Sequence, residues 1–386
     1  MKVGIIGAGP RGILMVSQLF NQFKNRSDQS EPLSITLFDP YGIGGRVWRT
    51  DQWEGLIMNT PADQITLFTD ESVNMTGRVF DGPCLFEWAP RNEAHQYLTA
   101  HGFSAQIIAA AAKLGSRDYA PRVLYGAYIQ WFYDELLKLQ PLEAHTSLIR
   151  EQVTGLNPNP NGTATLTARG SEYTFDKVVM ALGQQDNYLN EDEQKLAQYA
   201  QDNRLRYLAP THPGDADLSD IPAGEDVIIR GLGLSFTDYV SELTLGRGGH
   251  FMHNDDGSLS YQPSGQEPRI IAGFRRGIPY YPKAISEKGY GEQVEPVFLT
   301  PENMDRESVD GKLPYSKFIE LLKLDLELTY YRLMIEQRYP SKNANEFKQQ
   351  FIKATDRQAL IDQYHFNEED LFDWDYIVNP FKDVKA

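Results

Sequence analysis

Lys2-Val3-Gly4-Ile5-Ile6 reads as a short buried strand, and Gly7-Ala8-Gly9-Pro10-Arg11-Gly12 follows it directly with G-x-G-x-x-G spacing. An apolar helical stretch, Ile13 to Phe23, comes next, and then a second strand, Leu33 to Phe38, that ends in Asp39. In that setting each glycine has its own duty. Gly7 permits the tight turn, Gly9 lets backbone approach a pyrophosphate, and Gly12 lets the helix pack closely on the strand. The N-terminal N–H groups of that helix would face the phosphates. Strand, glycine loop, helix and strand in this order predict an α/β fold with a parallel sheet and a dinucleotide site at its first turn. A purely structural glycine turn is the alternative.

The rest of the composition narrows the partners. Lysine and arginine number 37 against 53 acidic residues, a net charge of −16, which disfavours nucleic acid or an anionic membrane as the main partner. Cys84 is the single cysteine, so an internal disulfide, a C-x-x-C pair and a cysteine-rich zinc site are excluded, and a cytoplasmic setting fits. No apolar run approaches membrane-spanning length. With 41% hydrophobic residues over 386 positions, the chain can build more than one core.

A second strand–loop–helix unit begins at Asp226-Val227-Ile228-Ile229-Arg230, turns at Gly231-Leu232-Gly233 and enters a helix near Ser235. Phe236 replaces the third glycine, which alters helix–strand packing but keeps the two glycines that admit a pyrophosphate. Between the two units, Ser147 to Gly183 alternates like a β-meander, and 184–222 reads as a polar connection. Helices are expected at Ser104–Leu114, Pro121–Leu139 and Tyr315–Tyr339. The expected organisation is two Rossmann-like dinucleotide-binding domains, at 1–215 and 216–300, followed by a helical C-terminal segment at 301–386.

Two such loops in one chain suggest a flavin at the first and a nicotinamide at the second, so that hydride passes between stacked rings. Asp39, at the end of the second strand, can accept hydrogen bonds from ribose hydroxyls, with a plain turn or cap role as the alternative. Arg247, Arg275 and Arg276 are candidates for an NADP 2′-phosphate, because a guanidinium binds phosphate oxygens bidentately; a solvated basic loop is the competing reading. The 7 histidines form no metal-binding cluster, no G-x-S-x-G elbow occurs, and no metal is expected. The acidic and aromatic stretch Glu368 to Trp374 suits a packing or docking segment, which leaves a protein partner or self-association open.

Taken together, these elements resemble the FAD/NAD(P)-binding oxidoreductases related to flavin-containing and N-hydroxylating monooxygenases. The resemblance rests on Gly7 to Gly12, Phe38-Asp39-Pro40, Gly44-Gly45-Arg46-Val47-Trp48, Met58-Asn59-Thr60-Pro61, Phe86-Glu87-Trp88, Met180-Ala181-Leu182-Gly183, Arg230 to Asp238, Gly246 to Gly249 and Arg275 to Pro279. It implies FAD at the first loop and NADPH or NADH at the second, with Gly44, Gly45 and Trp48 along the flavin. Buried packing is the alternative for Trp48. The resemblance also nominates Asn59 near the flavin's reactive face, where an amide offers donor and acceptor atoms, against a turn role ahead of Pro61. Gly183 would turn the backbone beside the cofactor, and Gly231, Gly233 and Ser235 would form the nicotinamide loop. The Gly-Asp element that follows the nicotinamide domain in related flavoproteins is not found here; the one Gly-Asp pair, Gly214-Asp215, lies ahead of the second glycine loop in a polar linker. The implied activity is that of an FAD-dependent oxidoreductase reduced by NAD(P)H, monooxygenase-like, on a small amine or amino acid. A reductase without oxygen insertion and a non-catalytic nucleotide-binding protein are the rival readings.

Overall fold

Strand β1 (Lys2–Ile6) runs into helix α1 (Pro10–Lys24) and returns as β2 (Leu33–Phe38) in the computed structural model, which describes residues 1–26, 31–70, 79–275 and 295–378. Helices α2 (Leu85–Trp88), α3 (Asn92–Ala100), α4 (Ala105–Lys113) and α5 (Arg122–Lys138) follow, then β3 (Ala144–Ile149). An antiparallel meander, β4 (Val153–Pro158), β5 (Ala164–Ala168) and β6 (Ser171–Phe175), returns the chain to β7 (Lys177–Met180). The four strands β3-β2-β1-β7 form one parallel sheet.

The central strands of that sheet are buried, as those of parallel sheets are, while the edge strand β7 is partly exposed. Ile5, Ile35 and Leu37 are fully enclosed and share a core with Ile13, Val16 and Phe20 of α1 and with Leu124, Tyr128 and Phe132 of α5. The apolar spacing of α1 places those residues on one face. Ser104 caps α4 by accepting from the Ile107 N–H at 3.1 Å. Pro121 sits one position outside α5, as its N-cap.

The stretch expected to be a polar connection contains a further helix, α6 (Glu191–Asp202). It buries only Ala200, and its start is fixed by a reciprocal cap between Asn190 and Glu193. Beyond it lie β8 (Asp226–Arg230), α7 (Leu234–Thr244), the hairpin β9 (His250–His253) and β10 (Leu259–Gln262), and β11 (Arg269–Gly273). β8 and β11 pair in parallel as a two-stranded sheet. Its small core, Ala216, Leu218 and Leu243 with Val227, Ile229 and Ile270, is separate from the first.

Two compact units result, Met1–Glu287 and Lys288–Ala386. The second is helical: α8 (Pro301–Glu307), α9 (Tyr315–Arg338), α10 (Ala344–Lys353), α11 (Arg357–Gln363) and α12 (Trp374–Val378). Leu328, Tyr331 and Ile335 of α9 pack on Phe347 and Phe351 of α10. The acidic C-terminal stretch joins that packing. Asp370 is buried on Tyr339 Oη and Arg338, and the Phe372 N–H donates to Tyr331 Oη at 3.1 Å.

Candidate functional site

At the carboxyl end of β1 the chain turns through Gly7, whose φ of +108° favours glycine. A Cβ added at Gly7 would lie 2.3 Å from Ala181 O beyond β7, and one at Gly12 would lie 2.0 Å from Gly7 O. Both glycines are therefore demanded by the protein's own packing. Gly9 differs, since a Cβ there would meet only Gly44 O, at an ordinary 3.7 Å. The protein itself does not exclude a side chain at Gly9, but a ligand lying against that backbone would.

Gly9 is also the N-cap of α1, with no side-chain cap and no carboxylate in the first turn. The N-terminal N–H groups and the positive end of the helix dipole thus face outward from a glycine, which suits a phosphate.

A second loop closes the cradle. Gly44 N–H donates to Ala8 O at 2.9 Å, and a Cβ at Gly45 would lie 3.3 Å from both the Gly9 Cα and Asp39 Oδ2. Asp39 holds the two loops together, accepting from Ala8 N–H and Tyr41 N–H, each at 2.9 Å. Burial pushes its carboxyl above the usual range, against the pull of those N–H groups. The Gly42 N–H adds a third backbone hydrogen bond to the same carboxylate.

Trp48 ends the loop half-buried, its ring edge-on to Tyr125 of α5 at 4.9 Å. Between Gly45 and that tryptophan, Arg46 projects to Asp186 at 2.7 Å and also pairs with Asp215. Arg49 pairs with the same Asp215 and donates to Gly214 O. Burial works to raise the Asp215 carboxyl, but hydrogen bonds from Arg49 and Arg46 prevail and hold it below the usual carboxylate range. The Gly214-Asp215 pair, remote in sequence, is thereby brought to the first cradle.

The second loop repeats the pattern in looser form. Gly231 N–H donates to Gly273 O at 2.9 Å, and Gly233 is the N-cap of α7, again with no side-chain cap and no acidic residue in the first turn. A Cβ at Gly231 or Gly233 would meet no heavy atom within 4 Å among the described residues, so this cradle is open. Ser235 is exposed on it.

Residues 4–185 match the family model described as FAD-NAD(P)-binding. That stretch, just under half of the chain, is similar to the FAD-NAD(P)-binding family. Over nearly its full length the chain is similar to nitrosuccinic acid synthase of Aspergillus oryzae, 34% identical across 98% of this chain and 57% of that one. L-aspartate N-monooxygenase (nitrosuccinate-forming) of Streptomyces davaonensis is 33% identical across 99% of this chain and 61% of that one. The chain spans about three fifths of the length of these curated relatives. Among solved structures, cyclohexanone monooxygenase overlaps 62% of this chain and 35% of its own at 16% identity and a TM-score of 0.36. L-lysine 6-monooxygenase from Pseudomonas syringae overlaps 62% and 50% at 17% identity and a TM-score of 0.33.

Within residues 4–185, Gly7, Gly9, Pro10, Gly12, Asp39, Gly44 and Gly45 converge on one cradle, with Arg11 exposed at the start of α1 and Trp48 at the loop's end. Gly183 is exposed just past β7, next to Ala181, whose N–H donates to Ile6 O at 2.8 Å. Asn59 is exposed, and the Thr60 hydroxyl donates to its Oδ1 at 3.3 Å. Met58 N–H donates to Ala120 O at 2.9 Å, which sets this segment against the start of α5.

Arg247 is placed differently from the expectation. Its guanidinium donates to Leu218 O, Ile221 O and Gln266 O at 2.7–3.0 Å, so it staples the linker to the loop before β11. Arg275 is exposed after β11, and Arg276 to Pro279 lie outside the described residues. Sequence reasoning missed Arg46, Arg49 and Arg122 as organising groups; the only signals were an arginine directly after the glycine pair and one directly after Pro121. Among the described residues no group of histidine, cysteine and carboxylate side chains could hold a metal ion, and no helix is long and apolar enough to cross a membrane.

Proposed function

We propose that this chain carries the FAD- and NADPH-handling part of an N-monooxygenase that oxygenates the amine of an acidic amino acid, L-aspartate. Two helix starts of the same construction, at Gly9 and Gly233 within one compact unit, carry the proposal: each offers uncapped N–H groups beside a glycine turn. Similarity to aspartate N-monooxygenases along nearly the whole chain supports the substrate class. A cytoplasmic setting agrees with a single half-buried cysteine.

The donor set fits the group. Gly7 to Gly12 with Gly44 and Gly45 would hold the ADP portion of FAD, and Asp39 would brace both loops while offering a remaining lone pair to a ribose. Trp48 would wall the ring system and Asn59 would orient it or the nicotinamide amide. Gly231, Gly233 and Ser235 would hold the pyrophosphate of NADPH. Reduced flavin supplies the oxygen chemistry when bound, while these side chains bind, orient and exclude water.

The test is spectroscopic. Purified protein reconstituted with FAD is expected to show a flavin spectrum that NADPH bleaches under nitrogen, and L-aspartate in air is expected to give a hydroxylamine or more oxidised nitrogen product. A protein that retains no FAD overturns the proposal. Bleaching without any oxygenated product, with or without L-aspartate, assigns it as a reductase instead.

A further inference from the structure

The core beneath the first sheet and the core beneath β8 and β11 share no residue. What crosses between them near the start of α5 is directional and charged.

Arg122 is the first residue of α5, and its own backbone N–H is fixed to Leu56 O at 2.8 Å. Its side chain then reaches two ways. Nε donates to Ile57 O at 3.1 Å, two residues before Asn59, and Nη2 donates to Asp238 Oδ2 at 2.6 Å. Asp238 lies on α7, five positions after Gly233, and only 7% of it is exposed. One guanidinium therefore grips the flavin-side segment and the nicotinamide-side helix at once, across 116 positions of sequence.

This arrangement is specific to arginine. Lysine supplies a single ammonium on a flexible stem and cannot occupy both contacts with a fixed angle between them, whereas the planar fork of arginine can. Burial pushes the Asp238 carboxyl above its usual range, and the hydrogen bond and charge of Arg122 pull against that. Asp238 uncompensated in that position would be an isolated buried carboxylate.

We infer that Arg122 is a positioning residue: through Ile57 O and Asp238 it sets the distance and tilt of the second nucleotide cradle relative to the Met58-Asn59 segment. This inference rests on the function proposed above. Hydride transfer between two rings depends steeply on their approach, so a misplacement of about 1 Å costs on the order of 100-fold in rate while leaving each nucleotide's own contacts in place.

The experiment compares wild type, Arg122→Lys, Asp238→Asn and the double variant as full chains. Reduction by NADPH under nitrogen is followed over a range of concentrations, which separates the limiting rate from the NADPH dissociation constant. Each single variant is expected to keep its FAD content and bind NADPH within about threefold of wild type, but to lose 10- to 100-fold in limiting rate. The double variant is expected to be no slower than the singles, because the tie is broken once. In flavin-free protein, amide hydrogen exchange is expected to quicken at both 57–59 and 231–238 in either variant. A limiting rate within twofold of wild type, fully multiplicative losses, or losses that track FAD content overturn the inference. If wild type itself is not reduced by NADPH, the proposed function fails, and the exchange data still decide the tie: quickening at both segments upholds it, quickening at one or neither overturns it.

Discussion

Ile35 in β2 is fully enclosed, while Ile228 in β8 is 79% exposed, although both belong to strands of a parallel sheet that ends near a glycine loop. The first sheet has four strands with helices packed on it; the second has two, and Ile271 of β11 is 45% exposed. Accordingly, Gly7 and Gly12 are required by neighbouring backbone, whereas Gly231 and Gly233 face open space. The same local sequence pattern thus serves two ends. In the first loop Gly7 and Gly12 are part of the packing and Gly9 is left for a ligand; in the second, Gly231 is held by its φ of +125° and Gly233 is kept for whatever lies against it.

The most severe break of that contrast is Gly12→Ala. A methyl group 2.0 Å from Gly7 O forces α1 off the sheet, with an expected loss of about 3 kcal/mol or more in urea unfolding and no FAD retained. Ile35→Ala is expected to cost about 3 kcal/mol by leaving a cavity in the first core, while Ile228→Ala stays within about 0.5 kcal/mol. Equal costs at the two isoleucines would mean that the sheets are supported alike. Gly233→Ala sharpens the distinction: unfolding is expected to shift by less than about 0.5 kcal/mol, yet NADPH affinity to fall at least tenfold by titration, about 1.4 kcal/mol.

The smallest expected effects concern the charged seam in acid. His212 is held below its usual range by burial and by Arg122, Arg46 and Arg49, against the opposite pull of Asp215. Its stabilising neutrality is complete above about pH 6.5 and is lost as pH falls from there toward its lowered folded value. Asp215 is itself depressed, so its contribution is present above about pH 4 and disappears only as pH falls through its lower folded value. Urea midpoints measured from pH 7.5 downward should therefore show a loss due to His212 and, at lower pH, a loss due to Asp215 that other depressed carboxylates such as Glu267 and Asp370 join; the His212 and Asp215 contributions are each under about 1 kcal/mol given partial solvent screening. His212→Asn should remove the first and leave the second.

Much of this was legible in sequence where the signal is local. The strand, glycine loop, helix and strand of the first unit fall where apolar spacing and turn residues put them, and the expected meander at 147–183 is realised in its middle, β4 to β6, while its last strand, β7, joins the parallel sheet. Helix α6 escaped because its stability comes from a capping box on an otherwise polar stretch, with little apolar period to read. The ion pairs escaped for another reason. Arg46 and Asp215 stand 169 positions apart and Arg122 and Asp238 stand 116 apart, and no local pattern announces such partners. Arg247 shows the converse, since an arginine suited to phosphate is equally suited to three carbonyl oxygens.

β1 is paired on one side with β2 and on the other with β7, and Gly7 turns directly beneath Ala181. During synthesis the first cradle must therefore wait for a strand that begins at residue 177. At ordinary elongation rates that is a delay of about 10–30 s after the opening glycine loop has emerged. Throughout that interval the apolar strand Lys2–Ile6 lacks one of its two neighbours, so FAD present during translation has nothing complete to bind and chaperones have something to cover.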